Sequence, residues 1–198
     1  MNIAVCEATC FAILGNAGSG KSTLARWLAS RIDAAILDLD TVAWMPGSEV
    51  RRRPEAESRE AVAAFCRGRE RWIVEGCYSG LIGEALLFMP KLIFLNPGEA
   101  RCLAHCRERA WEAHKYDTPQ AQEANLPLLL DWVRGYYKRE DELSLAAHQA
   151  CFEGYRGPRQ VFDSQLDLES PSQRLLKDLL RNDVDPAFQS SSAKKLSA

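Results

Sequence analysis

Apolar runs that read as buried strands recur along the chain at Phe11 to Leu14, Ala35 to Leu39, Trp72 to Val74, Leu92 to Leu95 and Gln160 to Phe162. Stretches with helical spacing separate most of them. Strands alternating with helices predict a parallel sheet covered on both faces, because each such strand must bury two sides. Right-handed crossovers then select a three-layer, doubly wound α/β arrangement of five parallel strands, with ligands at the carboxyl ends of the strands. After Leu95 the pattern changes: residues 98–115 and about 120–152 predict two helices, separated by Asp117-Thr118-Pro119 and interrupted by Pro127. This all-helical insertion reads as a mobile cover. Ser170-Pro171-Ser172 reads as the cap of a last helix ending near Leu180, and residues 183–198 are expected to be disordered. Ile3 to Val5 reads either as the start of the first strand or as an unpaired extension.

Composition narrows this picture. At 198 residues and 46% hydrophobic, the chain suffices for one domain with a substantial core, expected over residues 1–182. A net charge of -2 gives no bulk reason to bind nucleic acid or an anionic membrane, so any anion site must be local. Apolar runs fall short of the roughly 20 residues of a membrane span, and the opening MNIAVCEATC lacks the basic segment of a signal peptide, which predicts a cytoplasmic protein. Seven cysteines, an odd number in a chain too long to need disulfide staples, fit reduced thiols. The Cys6/Cys10 and Cys102/Cys106 spacings are not those of a structural zinc site. His105, His114 and His148 show no relay or metal spacing and read as surface or satisfied core residues. Trp111, Trp132, Tyr136 and Tyr137 are expected to pack the inserted helices together.

The chemistry concentrates at GNAGSGKST, residues 15 to 23, which fits GxxxxGK[ST] between the first strand and a helix. Glycines let backbone N–H groups of Gly15, Asn16, Ala17, Gly18, Ser19 and Gly20 converge on one cluster of oxygens. The helix beginning at Lys21 or Ser22 adds its own unpaired amides, including that of Thr23, and the positive end of its dipole. These features predict ATP or GTP binding, with Lys21 on the β and γ phosphates and Ser22 on Mg2+. No guanine-reading NKxD follows a strand, which favours a small phosphotransferase using ATP over a GTPase.

Acids follow at the next strand ends. In ILDLDTVAW, Asp38 and Asp40 are two apart and so are expected on one face of a strand, Asp38 toward Mg2+ through water and Asp40 toward the acceptor as its orienting group or base. The alternative is that one caps the next helix and the other is solvated. In WIVEGCYSG, Glu75 stands where a polar contact to metal or acceptor would sit, or pairs with an arginine at the strand edge, and Gly76 permits close backbone approach. The fourth strand ends in Asn96 rather than an acid.

At these residues the sequence resembles the nucleoside-monophosphate-kinase-like branch of P-loop proteins, such as adenylate, shikimate and gluconate kinases. More closely it resembles small adenylate-kinase-related proteins often labelled DNA topology modulation proteins. The likeness runs from Ile13 to about Phe162 through GNAGSGKSTLA, LDLDTVAWMPG, WIVEGCYSG, LIFLNPGEARCLAHCRER and GYRGPRQVF; those relatives usually carry aspartate and asparagine where this chain has Glu75 and Cys77. It implies an acceptor-binding region at 41–71 and a helical lid at 107–139. Arg107 and Arg109 match arginines that reach the transferring phosphates, bidentate guanidinium groups being suited to phosphoryl oxygens; Arg134 and Arg139 would add to the clamp on closure. Trp44 would stack on a ring of the acceptor or close the core, and Arg52, within Arg51-Arg52-Arg53, suits an anionic acceptor. The expectation is an ATP- and Mg2+-dependent kinase acting on a nucleotide, nucleoside or small hydroxyl metabolite. The alternative is an ATP-binding regulatory or nucleic-acid-associated NTPase with slow hydrolysis.

Overall fold

The structure is a computed structural model that describes residues 9–45, 51–113, 116–166, 168 and 173–181. Five parallel strands, β1 (Cys10–Gly15), β2 (Ala35–Asp38), β3 (Trp72–Gly76), β4 (Lys91–Leu95) and β5 (Arg159–Phe162), form one sheet in the order β2-β3-β1-β4-β5. The central strand β1 pairs with β3 from Cys10↔Trp72 to Leu14↔Gly76 and with β4 from Phe11↔Lys91 to Gly15↔Leu95. Alternation along β1 sorts the core into two layers. Phe11 and Ile13 join Ile73, Ile93 and Leu95 against α1 (Lys21–Ile32) and α8 (Gln173–Leu180). Ala12 and Leu14 join Val74, Leu92 and Phe94 against α3 (Glu55–Arg67), α4 (Ser79–Leu86) and α7 (Leu145–Gly154). A sheet with helices on both faces is the expected three-layer α/β fold.

The inserted helices differ from expectation. The first, α5, spans only Glu99–Glu108. The stretch read as one interrupted helix over 120–152 is two: α6 (Pro119–Gly135), opened by the Thr118 side chain accepting from the Ala121 N–H, and α7, opened by Ser144 accepting from the Ala147 N–H. Pro127 does not interrupt α6. It lies on the exposed face of α6, as does Glu123, whose carbonyl an N–H at position 127 would have bonded. Nor do Trp111 and Trp132 pack the insertion together, being 47% and 44% exposed; Tyr136 and Val133 do so, at 1% and 0%. A third apolar cluster of Cys102, Leu103, Cys106 and Val133, with Ala17, Leu129 and Leu130 against it, seats α5 and α6 on the loop after β1.

Lys91 is buried on β4, and its ammonium donates to the carbonyls of Asp178 and Arg181 at 2.7 and 2.8 Å, binding the C-terminal end of α8 to the sheet. Lys91→Met is expected to lower stability by about 1–3 kcal/mol and to open α8 to trypsin, as read by the urea midpoint and by limited proteolysis. Ile3–Val5, Ser170–Ser172, His114, Cys6 and the 183–198 tail lie outside the described residues. The six other cysteines are free, and among the described residues no helix is long and apolar enough to cross a membrane.

Candidate active site

The loop from β1 to α1 is held open by glycine geometry. Gly18 (φ 76°) and Gly20 (φ 95°) occupy the left-handed region, where side chains are strained. Gly18 also lies so close to α5 that an added Cβ would strike the Cys102 carbonyl and stand 2.8 Å from Cys106 Sγ, while above Gly20 a Cβ would meet nothing within 4 Å. Gly20 caps α1 without a side-chain hydrogen bond, and no acid stands in the first turn, so the α1 amides and dipole face that open space. Within the loop, the Ser19 N–H donates to the Asn16 carbonyl and the Ala17 N–H to Asn16 Oδ1. The Ser19 hydroxyl is buried and has no partner. An orphaned hydroxyl, uncapped amides and open space above Gly20 fit a group rich in acceptor oxygens.

Lys21 is 8% exposed and its ammonium donates to the Asn16 carbonyl at 2.8 Å. Burial opposes its charge, but Cys77, Glu75 and Asp40 favour it, and its pKa lies above the ordinary value. Glu75 is 3% exposed, beside Asp38 in the β2–β3 register and Ile13 in β1. Burial raises its carboxyl pKa against the pull of the Lys21 ammonium and a hydrogen bond from Ser22. Glu75 therefore faces the lysine of the loop rather than an arginine at the strand edge. Gly76 closes β3 against the Leu39 side chain.

Asp38 and Asp40 do not share a strand face. β2 ends at Asp38, whose Oδ1 accepts the Asp40 N–H at 2.9 Å, and Asp40 opens the four-residue α2 (Asp40–Ala43). A short polar side chain ends the strand by bonding the backbone two residues on, which turns the chain and carries Asp40 out to the exposed rim. There the Tyr78 hydroxyl donates to Asp40 Oδ1 and accepts from Trp44 Nε1, both at 2.7 Å. Trp44 thus closes the wall of this rim, and Arg52 lies over its ring and binds Glu142 at 2.5 Å.

The arginines of the insertion do not converge on the loop. Arg107 is exposed; Arg109 is half-buried and pairs with Glu112 at 3.1 Å, both arginines lining a cavity of about 290 Å³ with Trp111 and Tyr116. Arg134 pairs with Asp131 at 2.6 Å, and Arg139 lies over the Trp132 ring and donates to its carbonyl. Arg109, Arg134 and Arg139 have each found a carboxylate or aromatic within a turn or two, the arrangement that local sequence supplies. Three contacts went unanticipated: the buried Asn16 side chain donates to the Val133 carbonyl of α6 at 3.1 Å, His105 Nδ1 meets the Gly18 carbonyl at 2.8 Å, and Tyr78 links Trp44 to Asp40. Among the described residues no group of three or more His, Cys, Asp or Glu side chains forms a metal site. The Ser22 hydroxyl bonds Glu75 and Asp38 Oδ1 accepts the Asp40 N–H; a hydroxyl and a carboxylate are the kind of oxygen donors that Mg2+ takes together with waters and phosphate oxygens rather than in an all-protein cage.

No family model matches the chain, and no curated protein matches it in sequence. Among solved structures, a gluconokinase from Sinorhizobium meliloti 1021 aligns at 14% identity over 96% of this chain and 98% of that one, with a TM-score of 0.48. Deoxyadenosine kinase from M. mycoides with bound dATP aligns at 13% over 86% and 98%, with a TM-score of 0.41. Shikimate kinase from Bacteroides thetaiotaomicron aligns at 18% identity over 86% of this chain and 98% of that one, with a TM-score of 0.53. The likeness to the shikimate kinase is one of fold, a parallel α/β sheet covered by helices on both faces.

Proposed function

We propose that the protein is an ATP- and Mg2+-dependent kinase that passes the γ phosphate to a small acceptor. The observation that carries this reading is the β1–α1 loop: helix amides left uncapped at Gly20, where an added Cβ would meet nothing within 4 Å, with a buried lysine ammonium and an orphaned Ser19 hydroxyl in the same loop. Residues Gly15 to Thr23 would hold the phosphates, with Lys21 at the β and γ positions, and Ser22 with Asp38 would hold Mg2+. The nucleotide supplies the phosphoryl group; the acceptor oxygen bonds to its phosphorus as the bridging P–O bond to ADP breaks. Asp40 orients the acceptor and receives its proton, while Lys21 offsets the charge that passes to the leaving oxygen. Glu75 and Gly76 form the floor, and Trp44 and Arg52 the wall, of the acceptor side within the 41–71 region. Arg107 and Arg109 would turn onto the phosphates as the 107–139 cover closes, Arg109 leaving Glu112, and Arg134 and Arg139, which follow Val133, would add to the clamp.

Calorimetry with Mg2+ and a nonhydrolysable ATP analogue tests the site, and ATP consumption across nucleoside monophosphates, nucleosides, sugars and hydroxy acids tests the reaction. Saturable heat and stimulation by one compound are expected. Stimulation by DNA or RNA alone would replace the kinase by a nucleic-acid-associated NTPase, and absence of heat would remove the nucleotide site.

Gly20→Ala separates fold from function. A methyl there meets no atom, so the cost is confined to the left-handed backbone, about 1–2 kcal/mol. The methyl nevertheless occupies the space facing the helix amides. A Tm a few degrees lower, with loss of the rise in Tm that MgATP gives the wild type, is the expected outcome of a thermal-shift comparison.

A further inference from the structure

On the acceptor side, two aromatic rings and a carboxylate surround one cation. The Arg52 guanidinium lies 5.1 Å from the centre of the Trp44 ring and 4.8 Å from that of Tyr78, and it binds Glu142 at 2.5 Å. Ring faces and an anion around one position select a cation. The walls of this box hold their places without Arg52. Trp44 Nε1 donates to the Tyr78 hydroxyl at 2.7 Å, which locks the two rings to each other, and Tyr78 is 5% exposed. Glu142, between α6 and α7, is fixed through its own carbonyl, which accepts from the Ser79 N–H at 3.3 Å and the Ser79 hydroxyl at 2.8 Å. The box is therefore preformed.

Its occupant is held more loosely. An antiparallel bridge to Trp44 ties the Arg52 backbone, but the side chain is 42% exposed, and the ion pair and cation–π contacts that retain it are weak where water has access. Side-chain rotation alone takes the guanidinium out. An anion gains little by entering, because it would face Glu142, and the nearby Arg59 already holds Glu55 at 2.7 Å and Glu84 at 3.7 Å. The Tyr78 hydroxyl also donates to Asp40 Oδ1 at 2.7 Å, so the box adjoins the group assigned to the acceptor's hydroxyl.

We propose that the phosphoryl acceptor is a small amino alcohol, whose ammonium group displaces Arg52 from Trp44, Tyr78 and Glu142. Its hydroxyl then takes the phosphoryl group of MgATP, giving a phosphate ester, ADP and a proton. The acceptor class rests on the kinase reading above; the cation site does not.

Calorimetry on the full chain without nucleotide compares choline with neohexyl alcohol, its uncharged isostere in which carbon replaces nitrogen, and with glycolate. Saturable heat from choline alone is expected. Arg52→Ala, which removes the resting occupant at an exposed position, is expected to tighten choline about tenfold, and Trp44→Leu to weaken it about tenfold. Equal heat from neohexyl alcohol, preference for glycolate, or weaker choline binding in Arg52→Ala overturns the cation site; should Trp44→Leu fail to fold, Arg52→Ala decides. ADP release from MgATP is the second arm. Stronger stimulation by choline or ethanolamine than by sugars, hydroxy acids or nucleoside monophosphates supports the acceptor class, and one of the latter as the best acceptor overturns it. Failure of MgATP to bind removes the kinase reading and its acceptor, while the choline titration still decides whether the box takes a cation.

Discussion

Lys21→Ala is expected to lower phosphoryl-transfer turnover by about 10³-fold, equivalent to about 4 kcal/mol of transition-state stabilisation, while the protein stays folded. Lys21 brings the one ammonium that the structure buries within the glycine loop, where it donates to the Asn16 carbonyl. An ammonium screened from water acts on developing negative charge at low dielectric, so its removal is felt far more than that of a surface cation. Stability falls as well, because the buried Glu75 is left without its neighbouring ammonium. Glu75 registers the change: without the neighbouring ammonium its carboxyl, already raised by burial, moves further up. Single-turnover kinetics at saturating MgATP, with near-ultraviolet circular dichroism as the control for folding, check the prediction. Wild-type turnover in a folded Lys21→Ala protein would move the chemistry away from this loop.

Acid is expected to loosen the protein through His148. This ring is fully buried behind the strand ends, and burial pushes its pKa down to about 4. The Cys77 carbonyl can only accept, so Nε2 carries the hydrogen that binds it at 2.6 Å, and Nδ1 receives the Tyr136 hydroxyl at 2.8 Å. The neutral ring is thus satisfied at both nitrogens, and protonation would set two donors against each other. In the unfolded chain the ring titrates near 6.5, so between that value and about 4 the unfolded state holds the extra proton. The contribution of His148 is complete above the unfolded value and is lost as the pH falls, about 3 kcal/mol in all across the window. Urea unfolding at pH 7, 6 and 5 measures this slope. His148→Gln, whose amide can donate to Cys77 and accept from Tyr136 without titrating, should flatten the curve by the part of that loss that falls between pH 7 and 5, about 2 kcal/mol. An equal slope in both proteins would assign the acid sensitivity elsewhere.

The central strand, the glycine loop and α1 were legible because each is specified locally: five apolar residues for a strand buried on both faces, glycines at positive φ, and a helix opening at the lysine. The break between α6 and α7 was not, since Lys138 to Glu142 are residues that a helix accommodates and only Ser144 marks the restart. Pro127 misled in the opposite direction, because whether a proline breaks a helix depends on where the abandoned carbonyl points. Asp38 and Asp40 were correctly placed at a strand end, but the Asp38 side chain turned the backbone between them. Tyr78 and His148 act on groups 38 and 71 residues away, and no local spacing carries that information. The arginines of the insertion were identifiable as cations, but not their preference for Asp131, Glu112 and Trp132.

The bond from the buried Asn16 amide to the Val133 carbonyl joins the loop after β1 to the lower end of α6. A helix pinned in this way cannot swing like a hinged door. Any movement of it would be anchored beside the glycines at Val133, leaving its other end at Pro119 the freer to travel.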